Sequence, residues 1–178
     1  MPLTLAPEYV VALEKGHDRS AFDCGNQDLN RYLKQQARQD AEKYVAASFV
    51  LVESDVPIVR GYYTLSSSRI LLDELPLKLA KKLPRYDSLP VTLLGRLARD
   101  KTIPDKGIGE FLLLDALHRS LQHAQQIASM AVVVDAKDAD IERFYKHFNF
   151  VPFQLTPLRL FLPMKQIEQL FSPMQKGP

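Results

Sequence analysis

Apolar residues recur along this chain in two rhythms, a helical repeat near four residues and short continuous runs, and they alternate in order. Phe22-Asp-Cys-Gly-Asn is turn chemistry with Asn26 placed as a helix N-cap. Leu29, Leu33, Ala37 and Ala41 then fall every four residues, which predicts a helix to about Tyr44. Residues 47–52 and 59–65 are rich in β-branched and aromatic side chains and flank a Ser54-Asp-Val-Pro turn, so they predict an antiparallel strand pair. A helix is predicted over 71–83, a strand over 91–98, and an amphipathic helix over 107–122 covered by Phe111, Leu112, Leu114, Ala116 and Leu117. Residues 130–134 form an unbroken apolar run, as in a strand buried on both faces. A short helix over 140–147, a strand over 159–162 and a helix over 165–171 complete an α+β pattern around one central sheet. Gly95 lies inside its strand, where glycine marks a bulge or a close approach to the backbone.

Composition narrows the class. A chain of 178 residues, 46% hydrophobic and 25% charged, predicts one domain over 1–171 followed by a frayed tail, 172–178. A domain near this size buries roughly 70% of its unfolded surface, enough for a core without disulfide or zinc. The single Cys24 reads as a small buried hydrophobe and points to a reducing, intracellular setting. Twenty-three basic against 21 acidic residues leave +2, which excludes a generally polycationic nucleic-acid binder but not a local basic face. No apolar run approaches membrane length and no basic, signal-like start leads the chain, so a cytoplasmic protein is expected.

Chemistry concentrates in Leu97-Ala-Arg-Asp-Lys-Thr-Ile-Pro-Asp-Lys-Gly-Ile-Gly-Glu-Phe-Leu-Leu-Leu, read as a strand, a loop with two glycines and a helix. Unpaired N–H groups at a helix start carry partial positive charge, and glycine lets an anion reach the backbone. Lys106 adds a full charge. The spacing fits neither a Walker A loop nor a three-glycine dinucleotide fingerprint, and a glycine-rich helix start without a ligand remains open. Arg31, Lys34 and Arg38 share one helical stripe, and Lys78, Lys81, Lys82 and Arg85 form a second basic group. Each group is either a solvated face or a grip for phosphates. His17, His118, His123 and His147 have no metal-ligand spacing, so no metal site is expected. Tyr145, beside Phe144 and Phe148, reads on its own as a core aromatic.

The Pro104 to Gly109 loop and the Phe144-Tyr-Lys-His-Phe-Asn-Phe segment together resemble the GNAT N-acetyltransferase family. The segments Phe22-Asp-Cys-Gly-Asn-Gln-Asp-Leu-Asn-Arg-Tyr-Leu and Leu94-Gly-Arg-Leu-Ala-Arg-Asp extend the resemblance to the GNAT toxins of bacterial toxin-antitoxin pairs, over roughly residues 20 to 165. The resemblance implies a GNAT acyl-CoA N-acyltransferase fold, with a central mixed sheet flanked by helices. It also implies acetyl transfer from acetyl-CoA to the amino group of aminoacyl-tRNA, which blocks translation. The backbone N–H groups of Lys106, Gly107, Ile108, Gly109 and Glu110 would meet the pyrophosphate, and Leu97, Ala98 and Arg99 would line the thioester. Tyr145 would be the general acid, and the two basic groups would contact tRNA. A homodimer and a ribbon-helix-helix antitoxin are implied as well. Two positions depart from the family pattern. Pro104 replaces Gln or Arg and removes a side-chain donor and an N–H, and Asn149 replaces a glycine. An acetyltransferase for a protein or small amine, or a non-catalytic acetyl-CoA-binding module, remain as alternatives.

Overall fold

The computed structural model describes residues 9–53, 56–104 and 107–172, so the tail beyond Ser172 and Lys106 lie outside the described residues. Seven strands are hydrogen-bonded in the order β1-β2-β3-β4-β5-β7-β6, in a mixed sheet flanked by helices. Their bounds are β1 Val10–Ala12, β2 Ala47–Glu53, β3 Val56–Leu71, β4 Ser88–Arg99, β5 Ala131–Asp135, β6 Val151–Pro152 and β7 Arg159–Pro163. The helices are α1 Gln27–Arg31, α2 Ala37–Glu42, α3 Leu77–Ala80, α4 Ile108–Ala124, α5 Ala139–His147 and α6 Met164–Phe171. The chain forms two compact units, residues up to 66 with 94–116, and 67–93 with the chain from 117 onward.

In the first unit β1, β2 and β3 pair antiparallel, with register shifts in β2 at Val52 and Glu53. Asn26 caps α1 as its position suggested, its Oδ1 accepting from the Leu29 N–H at 3.1 Å. Between α1 and α2 the chain makes one π-helical turn, Tyr32–Gln36. The helix buries Leu33 and Ala37 completely, and they join Phe22, Val50, Val59, Tyr62 and Ala98 in one core. Phe22 meets Tyr62 edge-on at 5.6 Å, and Tyr32 stacks over Tyr62 at 6.5 Å. The Tyr62 hydroxyl donates to the Leu29 carbonyl at 2.8 Å, so burying that ring leaves no orphan hydroxyl.

The second unit is built on β5, β7 and β6, paired antiparallel with Val133 opposite Phe161. Ala131 to Val134 are fully buried, as their unbroken apolar run required. Ile70, Leu75, Leu89, Val91, Phe153 and Phe161 pack with them.

Three expectations need correction. The helix expected over 71–83 is replaced by a β3 that runs to Leu71, a 3-10 turn Leu72–Glu74 and the four-residue α3. Pro76 explains the break, because it lacks an N–H and forces Leu75 into an extended backbone at ψ 151. Of the turn expected at 54–57, Val56 and Pro57 belong to β3 instead, and Ser54 and Asp55 lie outside the described residues. Strands β1 and β6, with three and two residues, were not predicted at all.

Candidate active site

The first unit carries the loop that leads into α4. Gly107 has φ +79, a left-handed conformation that the absence of a Cβ makes accessible. Its carbonyl accepts from the Phe111 N–H at 2.9 Å, which makes Gly107 the helix cap. The N–H groups of Ile108, Gly109 and Glu110 therefore precede the first intrahelical bond and face outward from the helix start. No atom lies within 4 Å of where a Gly107 Cβ would stand, so the backbone there is open to an approaching anion. Glu110 and Gly107 are exposed, while the Ile108 side chain is buried and anchors the turn.

Upstream, Leu97, Ala98 and Arg99 end β4. Ala98 is buried in the core, and the Arg99 guanidinium donates to the Ile103 carbonyl at 3.1 Å, closing the loop back on its strand. Gly95 shows the close approach expected of it, with the Thr64 hydroxyl 3.1 Å from its Cβ position.

Sequence patterns missed the polar lock beneath this loop. Asp100, 4% exposed, accepts from the Thr102 N–H at 2.8 Å, the Thr102 hydroxyl at 2.6 Å and the Asp23 N–H at 3.2 Å. Burial pushes its carboxyl up, but these hydrogen bonds outweigh that and leave it below the ordinary value. Asp23 accepts from Lys101 at 2.8 Å, from the Gly25 N–H at 2.8 Å and from the Asn30 amide at 2.9 Å, which hold its carboxyl far below the carboxylate range. The Phe22-Asp-Cys-Gly-Asn segment is thus tied to the strand end that precedes Gly107. Only the Asx-turn character of Asp23-Cys-Gly hinted at this.

In the second unit Tyr145 lies on α5 and is 6% exposed. Its ring meets Phe144 and Phe150, each at 5.3 Å. Burial pushes its hydroxyl well above the usual phenol value, so it holds its proton at neutral pH. The α5 C-terminus explains the position: Asn149 sits at φ +67, its N–H donates to the Lys146 carbonyl, and the Phe150 N–H donates to the Tyr145 carbonyl. That is a Schellman motif, and its usual hydrophobic contact is the Phe150–Tyr145 pair.

The basic groups differ in their engagement. Arg38 pairs with Glu42 at 2.9 Å, whereas Arg31 makes only a loose 3.6 Å pair with Asp28 and Lys34 pairs with no described carboxylate. Lys78, Lys81, Lys82 and Arg85 are all exposed, and Lys81 and Arg85 line a groove of about 710 Å³ with Leu77, Leu83 and Tyr86. Among the described residues no cluster of His, Cys, Asp or Glu could hold a metal.

The sheet order and the glycine-capped helix start define an acyl-CoA-binding GNAT fold. No family model matches the sequence. A tRNA-acetylating toxin of Mycobacterium tuberculosis is 33% identical over 155 residues, 87% of this chain and 91% of its own. The probable toxin TacT of Sinorhizobium fredii is 30% identical over 163 residues, 88% of this chain and 90% of its own. A tyrosine-to-phenylalanine mutant of KacT superposes with TM-score 0.85 at 30% identity, over 91% of this chain and 98% of that one. AtaT complexed with acetyl-methionyl-tRNAfMet gives 0.85 at 29%, over 92% and 98%. An AtaT mutant bound to the C-terminus of the antitoxin AtaR and acetyl-CoA gives 0.77 at 25%, over 92% and 97%. The chain belongs to the GNAT toxin family of toxin-antitoxin systems.

Proposed function

We propose that this chain transfers acetyl from acetyl-CoA to the α-amino group of aminoacyl-tRNA, blocking translation in the cytoplasm. The observation that carries the reading is the left-handed Gly107 cap, which leaves the first α4 N–H groups free beside an open backbone. The residues fit the co-substrate: Gly107, Ile108, Gly109 and Glu110 offer N–H donors to a pyrophosphate, and Lys106 adds charge next to them in sequence. Leu97, Ala98 and Arg99 would line the thioester. Acetyl-CoA supplies the activated acetyl group.

The amine lone pair forms the new C–N bond as the C–S bond breaks. Tyr145 Oη delivers its proton to the leaving sulfur, the nitrogen releases one proton to water, and solvent reprotonates the phenol. No general base is required, because an α-amine with a pKa near 7.7 to 8.0 is about one-tenth neutral at pH 7. A lysine amine near 10.4 is neutral in far less than about 1% of molecules, which favours the α-amine. Arg31, Lys34, Lys78, Lys81, Lys82 and Arg85 would grip the tRNA backbone. Arg38 would join this set by exchanging its surface pair with Glu42 for a phosphate. The antitoxin is proposed to be of the ribbon-helix-helix class and the toxin a homodimer, supported by the family resemblance and by the antitoxin bound to AtaT.

The test incubates the protein with labelled acetyl-CoA and a charged total tRNA pool. Label on the aminoacyl group is expected. Acetyl-CoA binding with no label on any aminoacyl-tRNA would overturn the reading in favour of a non-catalytic module.

A further inference from the structure

Residues 27, 30, 31, 34 and 35 follow the spacing of a single helical face, and with Ala21, Phe22 and Asp23 they line a cavity of about 360 Å³ in the first unit. Its donors are largely unused. Among the described residues Lys34 forms no ion pair, the side-chain amides of Gln27 and Gln35 make no hydrogen bond, and Arg31 has only its loose, exposed pair with Asp28. Such a pair holds a guanidinium weakly. Asp23, the one carboxylate in the lining, is already taken up by Lys101, the Gly25 N–H and Asn30. The Asn30 side-chain Oδ1 in turn accepts from the Cys24 N–H at 2.9 Å, so the Asn30 amide builds the wall and is not free for a ligand. What faces the cavity is therefore two cations and two amides, with no free anion.

We propose that this pocket seats one backbone phosphate of the tRNA and its ribose, Arg31 and Lys34 taking phosphate oxygens and Gln27 and Gln35 bonding the sugar. The assignment rests on the acceptor substrate proposed above. The one aromatic in the lining, Phe22, is 2% exposed and packed edge-on against Tyr62, so it presents no ring face for stacking. Cations and amide donors alone recognise phosphate and sugar in any sequence context, so the pocket positions tRNA and does not read bases. Its wall is continuous with the acetyl-CoA loop support, because Asp23 bonds both Lys101 and, through its N–H, Asp100. A phosphate held here is thereby registered to the strand end before Gly107.

Lys34→Gln and the double variant Gln27→Ala/Gln35→Ala test this against Lys43→Gln, an exposed lysine outside the pocket. Steady-state rates with aminoacyl-tRNA, calorimetric binding of acetyl-CoA and filter binding of uncharged tRNA are measured across salt concentrations. Lys34→Gln should raise KM for aminoacyl-tRNA about tenfold and flatten the log–log salt slope by roughly 0.7 to 0.9, the value of one phosphate contact. The double variant should raise KM without changing the slope. Both should leave kcat and acetyl-CoA binding unchanged, and Lys43→Gln should match wild type throughout. If the pocket variants match wild type while wild type acetylates aminoacyl-tRNA, the pocket assignment is overturned and the functional reading stands. If wild type acetylates no aminoacyl-tRNA, the functional reading falls, and filter binding alone decides the pocket. Weakened antitoxin binding with unaltered tRNA binding would assign the pocket to a protein partner and overturn the proposal.

Discussion

Tyr145 is buried, and the proposed chemistry asks its hydroxyl to give up a proton. Burial holds its proton far above neutral pH, which suits a proton donor and rules out a resident phenolate base. Tyr145→Phe should lower kcat by about 10² to 10⁴ while calorimetry shows unaltered acetyl-CoA binding. The pH profile is a second check. As the substrate amine deprotonates, kcat/KM should rise through about pH 8, and no falling limb should follow before pH ~10 because the phenol remains protonated. A falling limb near pH 9 that vanishes in Tyr145→Phe would contradict a strongly raised phenol. Gly107 invites a similar test: an alanine there meets no neighbour within 4 Å, so its cost is the left-handed backbone alone, about 1 to 2 kcal/mol. Weaker acetyl-CoA binding by roughly tenfold, with unchanged KM for aminoacyl-tRNA, is the expected outcome.

At the scale of elements, the ends of helices decide where the proposed site residues lie. Asn149 closes the Schellman motif that brings Phe150 against Tyr145. Asn149→Gly should hold or raise stability, whereas the β-branched Asn149→Val should cost about 1 to 2 kcal/mol in urea unfolding and lower kcat through the displaced ring. This cap was legible, since asparagine in the family's glycine position suggests positive φ, and the N-cap Asn26 was legible as a short polar side chain just ahead of the apolar repeat. The π-helical turn left a subtler trace. Apolar residues spaced by four over 29, 33, 37 and 41 overrun a 3.6-residue helix, and the extra residue of Tyr32–Gln36 absorbs the surplus. Arg19 then donates to the Leu33 carbonyl at 2.8 Å, a bond between segments that no local pattern announces. The Asp23–Asp100 lock was invisible for that reason too, as its partners are 77 residues apart. Strands of two or three residues are too short to show a period, and Pro76 outweighed the helical composition of 71–83.

For the whole molecule, electrostatics link stability to function. Asp18, Asp23 and Asp100 all titrate below 3.8 in the folded chain, so their stabilisation is complete above that unfolded value and is lost as pH falls through the lower folded values. Urea midpoints should therefore be level from pH 7 to about 4 and fall below it, less steeply in Asp23→Asn. Function depends on charge differently, because a net +2 supplies little general attraction to tRNA and leaves the work to local groups. The two basic groups belong to different compact units, Arg31 and Lys34 to the first and Lys78, Lys81, Lys82 and Arg85 to the second. If each grips its own phosphates, Lys81→Glu with Arg85→Glu should raise KM for aminoacyl-tRNA and flatten its salt slope while kcat at saturation is kept. Combining that pair with Lys34→Gln should add the two losses in log KM within about 0.3 to 0.5 kcal/mol, as independent contacts do. A combined loss no larger than the greater single loss would mean that tRNA engages only one unit at a time, and a kcat that falls with KM would place the second group at the reacting end of the substrate.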